Sequence, residues 1–215
     1  MASHHRAYTR SEEIAHAASH ALGVLASVVA LVWLGTLAAQ GVATAALAGA
    51  LAFCGSALLL FLTSTLYHSA TKPGVKQQLR RVDHCAIYVL IAGTYSALLS
   101  VAVNGSLRWV LLAVIWSLAM AGIVVELTVA ARLPRLSTAL YLLAGWAGMV
   151  AAKPISQVLS AEQLVWLLLG GLAYTAGLPF YVWKSRRYTH VVWHLFVLLG
   201  VTCHFMAVRS FLAGP

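Results

Sequence analysis

Charge is what this chain has least of. Only 9% of its 215 residues are charged, where a soluble domain carries about 25%, and just five are acidic. So few ionic groups cannot cover a water-facing surface, which excludes a soluble globular domain. Aspartate is reduced to one residue, Asp83, so whatever that carboxylate does has no substitute of its own kind. Cysteine is scarce too. Cys54, Cys85 and Cys203 form an odd set without paired spacing, which excludes a disulfide framework and a cysteine-based zinc site. They read as small buried hydrophobes. There is no internal repeat and no low-complexity segment.

What is present is apolar surface. The composition is 61% hydrophobic and the mean hydropathy is +0.87. Apolar runs near the ~20 residues needed to cross a bilayer recur along the whole sequence. The reading is an all-α, polytopic membrane protein, one seven-helix domain over 1–215, integral to the cell (plasma or inner) membrane. A net charge of +9 could suggest nucleic acid, but a nucleic-acid footprint forms one patch or stripe. Here the basic residues fall in short clusters between apolar runs, as in cytoplasmic loops. Nucleic-acid binding is excluded.

The spans are expected at about 21–39, 43–68, 82–103, 109–131, 137–152, 161–183 and 190–212. A cleaved signal peptide competes for the first, since Leu37-Ala38-Ala39 offers small residues. Its apolar core would be 7–15 residues, and this run is longer. Turns are expected at Pro73-Gly74, Asn104-Gly105-Ser106 and Lys153-Pro154, with Pro179 inside the sixth span. Seven spans put alternate loops on opposite sides. One side then carries Arg6, Arg10, Lys72, Lys76, Arg80, Arg81, Arg132, Arg135, Lys184, Arg186 and Arg187; the other carries Arg108, Lys153 and Arg209. This asymmetry places the N-terminus in the cytoplasm and the C-terminus outside.

Ionisable residues within spans stand out because each costs roughly 2.5 kcal/mol or more at the bilayer centre. His68 ends the second span, Asp83 opens the third, and His190 and His194 open the seventh, all at the cytoplasmic side. His190 and His194 are four residues apart, so their Cβ atoms lie roughly 6 Å apart on one helix face. Three imidazoles suffice to hold Zn2+ and leave its fourth position for water, the arrangement of a catalytic site. Asp83 could take a proton from that water or hold it. Ser64, four residues before His68 on the same face, could hydrogen-bond the water or a polarised carbonyl. The expected set is therefore His68, His190 and His194 as metal ligands with Asp83 and Ser64 as catalytic groups.

The remaining polar residues read differently. His204 lies about 15 Å along the helix from His194, too far to share one ion, and a helix–helix hydrogen bond is expected. His84 faces about 100° away from Asp83 and reads as a boundary or packing residue. Glu126 reads as a solvated or Arg-paired carboxylate. Glu13 and His20 share a face near the first span and could close the pocket floor or form an interfacial pair.

The segment EEIAHAASHALG, the S-x-x-x-H of STLYHS, the run KQQLRRVDHCAIYVLIAGTYS and the terminal H-x-x-x-H resemble the hemolysin III family. That family groups with the progestin and adipoQ receptors, among seven-helix membrane hydrolases that include alkaline ceramidases. The resemblance covers roughly Ser11 to Ser210. It implies zinc held by His68, His190 and His194, with Asp83 and Ser64 around its water, and a cytoplasmic N-terminus. Two positions depart from the family pattern: His16, where Asn is common, and Ala97, where Pro is.

Three functions follow as expectations. The first is a zinc-dependent hydrolase of a membrane-lipid amide or ester, its substrate arriving sideways from the bilayer. The second is a non-enzymatic membrane-homeostasis or receptor-like protein with structural zinc. The third, a cytolysin after the family name, fits poorly with a chain that is apolar throughout. The sequence leaves a homo-oligomer open.

Overall fold

The computed structural model of the protein describes residues 7–41, 44–129, 133–183 and 185–212. Arg6, Arg132 and Lys184, used above for orientation, lie outside them, as do the expected span ends at 43 and 131. Among the described residues all regular structure is helical: α1 (Arg10–Ala39), α2 (Thr44–Ser69), α3 (Pro73–Ala102), α4 (Gly105–Thr128) and α5 (Pro134–Trp146) come first. A 3-10 segment (Ala147–Ala151) then leads to α6 (Ala152–Ser156), α7 (Ala161–Val182) and α8 (Thr189–Leu212). Six of these helices are long and apolar enough to cross a membrane, and a shorter apolar helix covers Leu136–Met149. The chain is a multi-pass integral membrane protein, a helical bundle of about seven helices.

Two helices begin well before the apolar runs they contain. α1 starts at Arg10 rather than near Ala21, because Thr9 and Glu12 form a capping box. The Glu12 N–H donates to Thr9 Oγ1 at 3.3 Å, and the Thr9 N–H donates to the Glu12 carboxylate at 2.9 Å. α3 starts at Pro73, where the missing N–H of proline is no loss, and good helix formers in KQQLRR carry the helix to the apolar stretch. Hydropathy marks where a helix is greasy, not where it starts. The α1 extension turns His16 into a helical residue facing the bundle.

The fifth segment is less regular than a simple span. Its helix tightens at Ala147, and Lys153-Pro154, expected to open a loop, lies in the short α6. Tyr95 of α3 satisfies the backbone there: its hydroxyl donates to the Gly145 carbonyl at 2.9 Å and accepts from the Gly148 N–H at 2.6 Å. Irregular backbone at membrane depth needs such a protein partner, since lipid offers none.

Small residues let α2 and α3 approach closely. A Cβ on Gly93 would fall 2.8 Å from the Ala52 carbonyl oxygen, and one on Gly49 2.7 Å from that of Ser96. Such contacts are how membrane helices gain packing where burial from water is not available. Phe53, Phe61 and Leu34 fill the core between α1, α2 and α8. Outward-facing Val29, Trp109 and Leu143 are left largely uncovered, as lipid-facing side chains are. α1 and α2 also meet α8 at one end of the bundle, where the polar residues gather.

Candidate metal centre

His68 closes α2, and His190 and His194 open α8, one turn apart. One nitrogen from each lies within 4.8 Å of the other two. His68 and His194 are buried and His190 is half-buried. The structure thus brings the expected three imidazoles together, although His68 and His194 are far apart in sequence.

Helix α1 fixes how two of these rings point. Glu13 accepts from His68 Nδ1 at 2.7 Å, and its other oxygen takes Lys76 Nζ at 2.9 Å. A carboxylate can only accept, so Nδ1 of His68 carries the proton and Nε2 is left as its ligand atom. That Nε2 is buried and, among the described residues, has no hydrogen-bond partner. The His194 Nδ1–H donates to the His16 carbonyl at 3.2 Å and lies 3.0 Å from Ser19 Oγ, which likewise leaves Nε2. Metal-binding histidines are commonly held in this way, the second nitrogen donating to a carboxylate or carbonyl. The buried, unpartnered nitrogen and the supported tautomers fit a metal that prefers imidazole donors.

Asp83 and Ser64 face a cavity of about 470 Å³ beside this cluster. His190 and His194 border the same cavity, and Leu60, Ile87 and Val197 give it an apolar wall. Ser64 Oγ is buried, and Asp83 is the polar side chain it interacts with among the described residues. All five expected site residues therefore converge on one end of the bundle. His204 does not join them: its Nε2 lies 3.2 Å from the Leu167 carbonyl oxygen, a contact between α8 and α7.

The sequence model described as Haemolysin-III related matches residues 8–205. The chain belongs to the haemolysin-III family. A protein named Hemolysin-3 homolog, from Bacillus subtilis (strain 168), is 43% identical over 201 residues, covering 94% of each chain. Hemolysin-3 from Bacillus cereus is 39% identical over 197 residues, covering 92% of this chain and 90% of that protein. More distantly, the monocyte to macrophage differentiation factor of Homo sapiens is 29% identical over 167 residues, covering 71% of this chain and 66% of that protein.

In this haemolysin-III chain several polar residues do more than their spacing suggested. Glu13 and His20 both line the cavity, the first of the two expected roles, while Glu13 reaches His68 and Lys76 rather than pairing with His20. His20 instead stacks on His194 with ring centres 3.6 Å apart. Glu126 is buried rather than solvated. It accepts from His84 Nδ1 at 2.8 Å, Ser137 Oγ at 2.6 Å and the Tyr141 hydroxyl at 3.0 Å, which joins α3, α4 and α5. Glu12 is fully buried and accepts the Tyr188 N–H at 3.1 Å. Tyr188 has φ +60°, and this bond helps hold the non-glycine residue in a left-handed conformation just before His190.

His16 was overlooked. It is fully buried, and its ring lies beside all three expected ligands. The signal was present in the sequence: His16 and His20 repeat the H-x-x-x-H spacing of His190 and His194. It went unread because that pair lies ahead of the apolar run, in a stretch that hydropathy treats as a tail.

Proposed function

We propose that this membrane protein is a zinc-dependent hydrolase of a lipid amide or ester, with His68, His190 and His194 as ligands near the cytoplasmic face. The convergence of three imidazoles on a cavity that also holds Asp83 and Ser64 carries this reading. Zinc would supply Lewis acidity toward a carbonyl oxygen and toward water. The apolar wall of Leu60, Ile87 and Val197 suits an acyl chain, which positions the carbonyl at the polar end of the cavity. Asp83 takes the proton from the attacking water and returns it to the departing amine or alcohol. Ser64 Oγ–H donates to the oxygen on which charge develops. Glu13 and Ser19 keep His68 and His194 oriented throughout.

The test is metal content together with lipid turnover in the purified full chain. About one zinc per chain is expected, lost in His190→Ala. Asp83→Asn should keep the zinc and lose turnover of a ceramide-type amide or an acyl ester by at least about a hundredfold, within the usual range for a general base. Metal-free protein after purification with added zinc would overturn the reading. The second reading, structural zinc in a non-enzymatic protein, is favoured by one observation, the burial of His16 against the three ligands. Under it Asp83→Asn leaves cellular function intact.

A further inference from the structure

Behind the cavity wall, α3, α4 and α5 hold a second polar group, made of His84, Glu126, Ser137 and Tyr141. His84 is the member of this group that lines the cavity, next to Asp83 in the chain. Glu126 stands behind it: its side chain keeps 6% exposure, against 24% for His84. The carboxylate accepts from His84 Nδ1 at 2.8 Å, from Ser137 Oγ at 2.6 Å and from the Tyr141 hydroxyl at 3.0 Å. A carboxylate only accepts, so a neutral His84 carries its proton on Nδ1 and a lone pair on Nε2. Among the described residues Nε2 has no hydrogen bond. One nitrogen is thus committed to the carboxylate, and the other is left for the cavity.

A tie between helices does not require an imidazole here. Ser137 and Tyr141 already join α5 to α4 through Glu126, and the Tyr141 hydroxyl also reaches the His84 carbonyl at 3.4 Å, joining α5 to α3. The ring adds an acceptor nitrogen whose protonated form would face a carboxylate. A carboxylate so placed holds an imidazole in one tautomer and stabilises the imidazolium that forms. The other titratable groups around the ring are Asp83 on its own helix, Tyr141 on α5 and Tyr181 of α7 in the cavity wall. In hydrolysis Asp83 is occupied with one proton of the attacking water, and that water has two.

We propose that His84 is a second acid–base residue of the cavity, taking up at Nε2 the proton that hydrolysis of an ester leaves behind. The inference rests on the hydrolase reading above and adds the exit of the proton to it. The oxygen of water joins the acyl carbon, and Asp83 passes one proton to the departing alcohol. The C–O bond breaks with its electron pair left on that alcohol oxygen. The new carboxylic acid still carries the second proton. Its O–H bond breaks with the electron pair left on the carboxylate, and the proton moves to His84 Nε2. The imidazolium so formed faces the Glu126 carboxylate, then gives the proton up to water entering the cavity. An amide needs no such exit, because the departing amine takes the second proton and leaves as ammonium. Glu126 touches neither substrate nor product and acts as a positioning residue.

A matched pair of substrates separates the two cases: N-oleoylethanolamine and the oleate monoester of ethylene glycol, which differ only at the group cleaved from the acyl carbon. On the zinc-loaded full chain in nanodiscs, His84→Gln and His84→Ala should lower kcat for the ester at least about tenfold and for the amide less than about twofold. KM and zinc content stay as in the wild type. Added imidazole should restore ester turnover to His84→Ala, which replacing a structural tie would not do. Glu126→Gln keeps an oxygen that can accept from Nδ1 but not the charge, and it should show the same selective loss; it decides the matter even where a His84 variant does not fold. Equal loss on both substrates, no loss on the ester, or no rescue by imidazole would overturn the proposal and leave the hydrolase reading standing. So would a wild type that cleaves the amide alone. A wild type that cleaves neither compound would overturn both readings together.

Discussion

Replacing Glu13 tests whether α1 tunes the centre without touching the ion. Glu13 accepts from His68 Nδ1 at 2.7 Å and from Lys76 at 2.9 Å, so it fixes the tautomer and the direction of a ligand on another helix. Loss of such an outer support lowers metal affinity about 10–100-fold. That is about 1.4–2.8 kcal/mol, which agrees with about 1.5–3 kcal/mol for one hydrogen bond to a charged group. Glu13→Ala should therefore lie toward the upper end. Glu13→Gln retains an oxygen that can accept from Nδ1 and should lie near tenfold, with the Lys76 ammonium left without its counter-charge. Competition against a zinc-binding dye, on purified full chain in nanodiscs, measures both. A thermal melt of the metal-free protein separates loss of the site from loss of the fold. Wild-type affinity in both variants, with the melt unchanged, would refute the claim that Glu13 sets the His68 ligand atom.

Two further outcomes follow from the packing. Glu126→Ala removes the acceptor shared by His84, Ser137 and Tyr141 and should destabilise the bundle by about 2–4 kcal/mol, allowing for the modest worth of single polar contacts between membrane helices; unfolding in mixed detergent micelles measures it, and a loss near zero would mean that lipid or water replaces the carboxylate. Gly93→Leu drives a side chain into the Ala52 carbonyl and should lower stability by about 1–3 kcal/mol, read as a lower melting temperature, whereas Gly55→Leu, whose added Cβ meets nothing within 4 Å, should not.

Much of the architecture was legible because the bilayer imposes a coarse rule, a run of about 20 apolar residues per crossing. That His68, His190 and His194 would gather was legible for a related reason: histidine at membrane depth is costly, so its placement carries information. What stayed hidden is what depends on angle and on partners distant in sequence. Nothing local to Glu126 tells that His84 lies 2.8 Å away. Glu13 and His68 are 55 residues apart, and no single-helix periodicity connects them. The α1 start was readable, since T-x-x-E is a capping signature, yet the search for apolar runs passed over it. That one boundary concealed the roles of His16 and Ser19 and the partners of Glu13.

The contact between His194 Nδ1 and the His16 carbonyl spans 178 residues, joining the first helix to the last. During biosynthesis, therefore, a chain that has inserted everything but α8 owns the glutamate and two of the histidines but no centre. Under the proposed metal reading the ion also needs His190 and His194, and an ion that binds only the finished fold stabilises only that fold. Metal loading would then distinguish complete molecules from truncated ones.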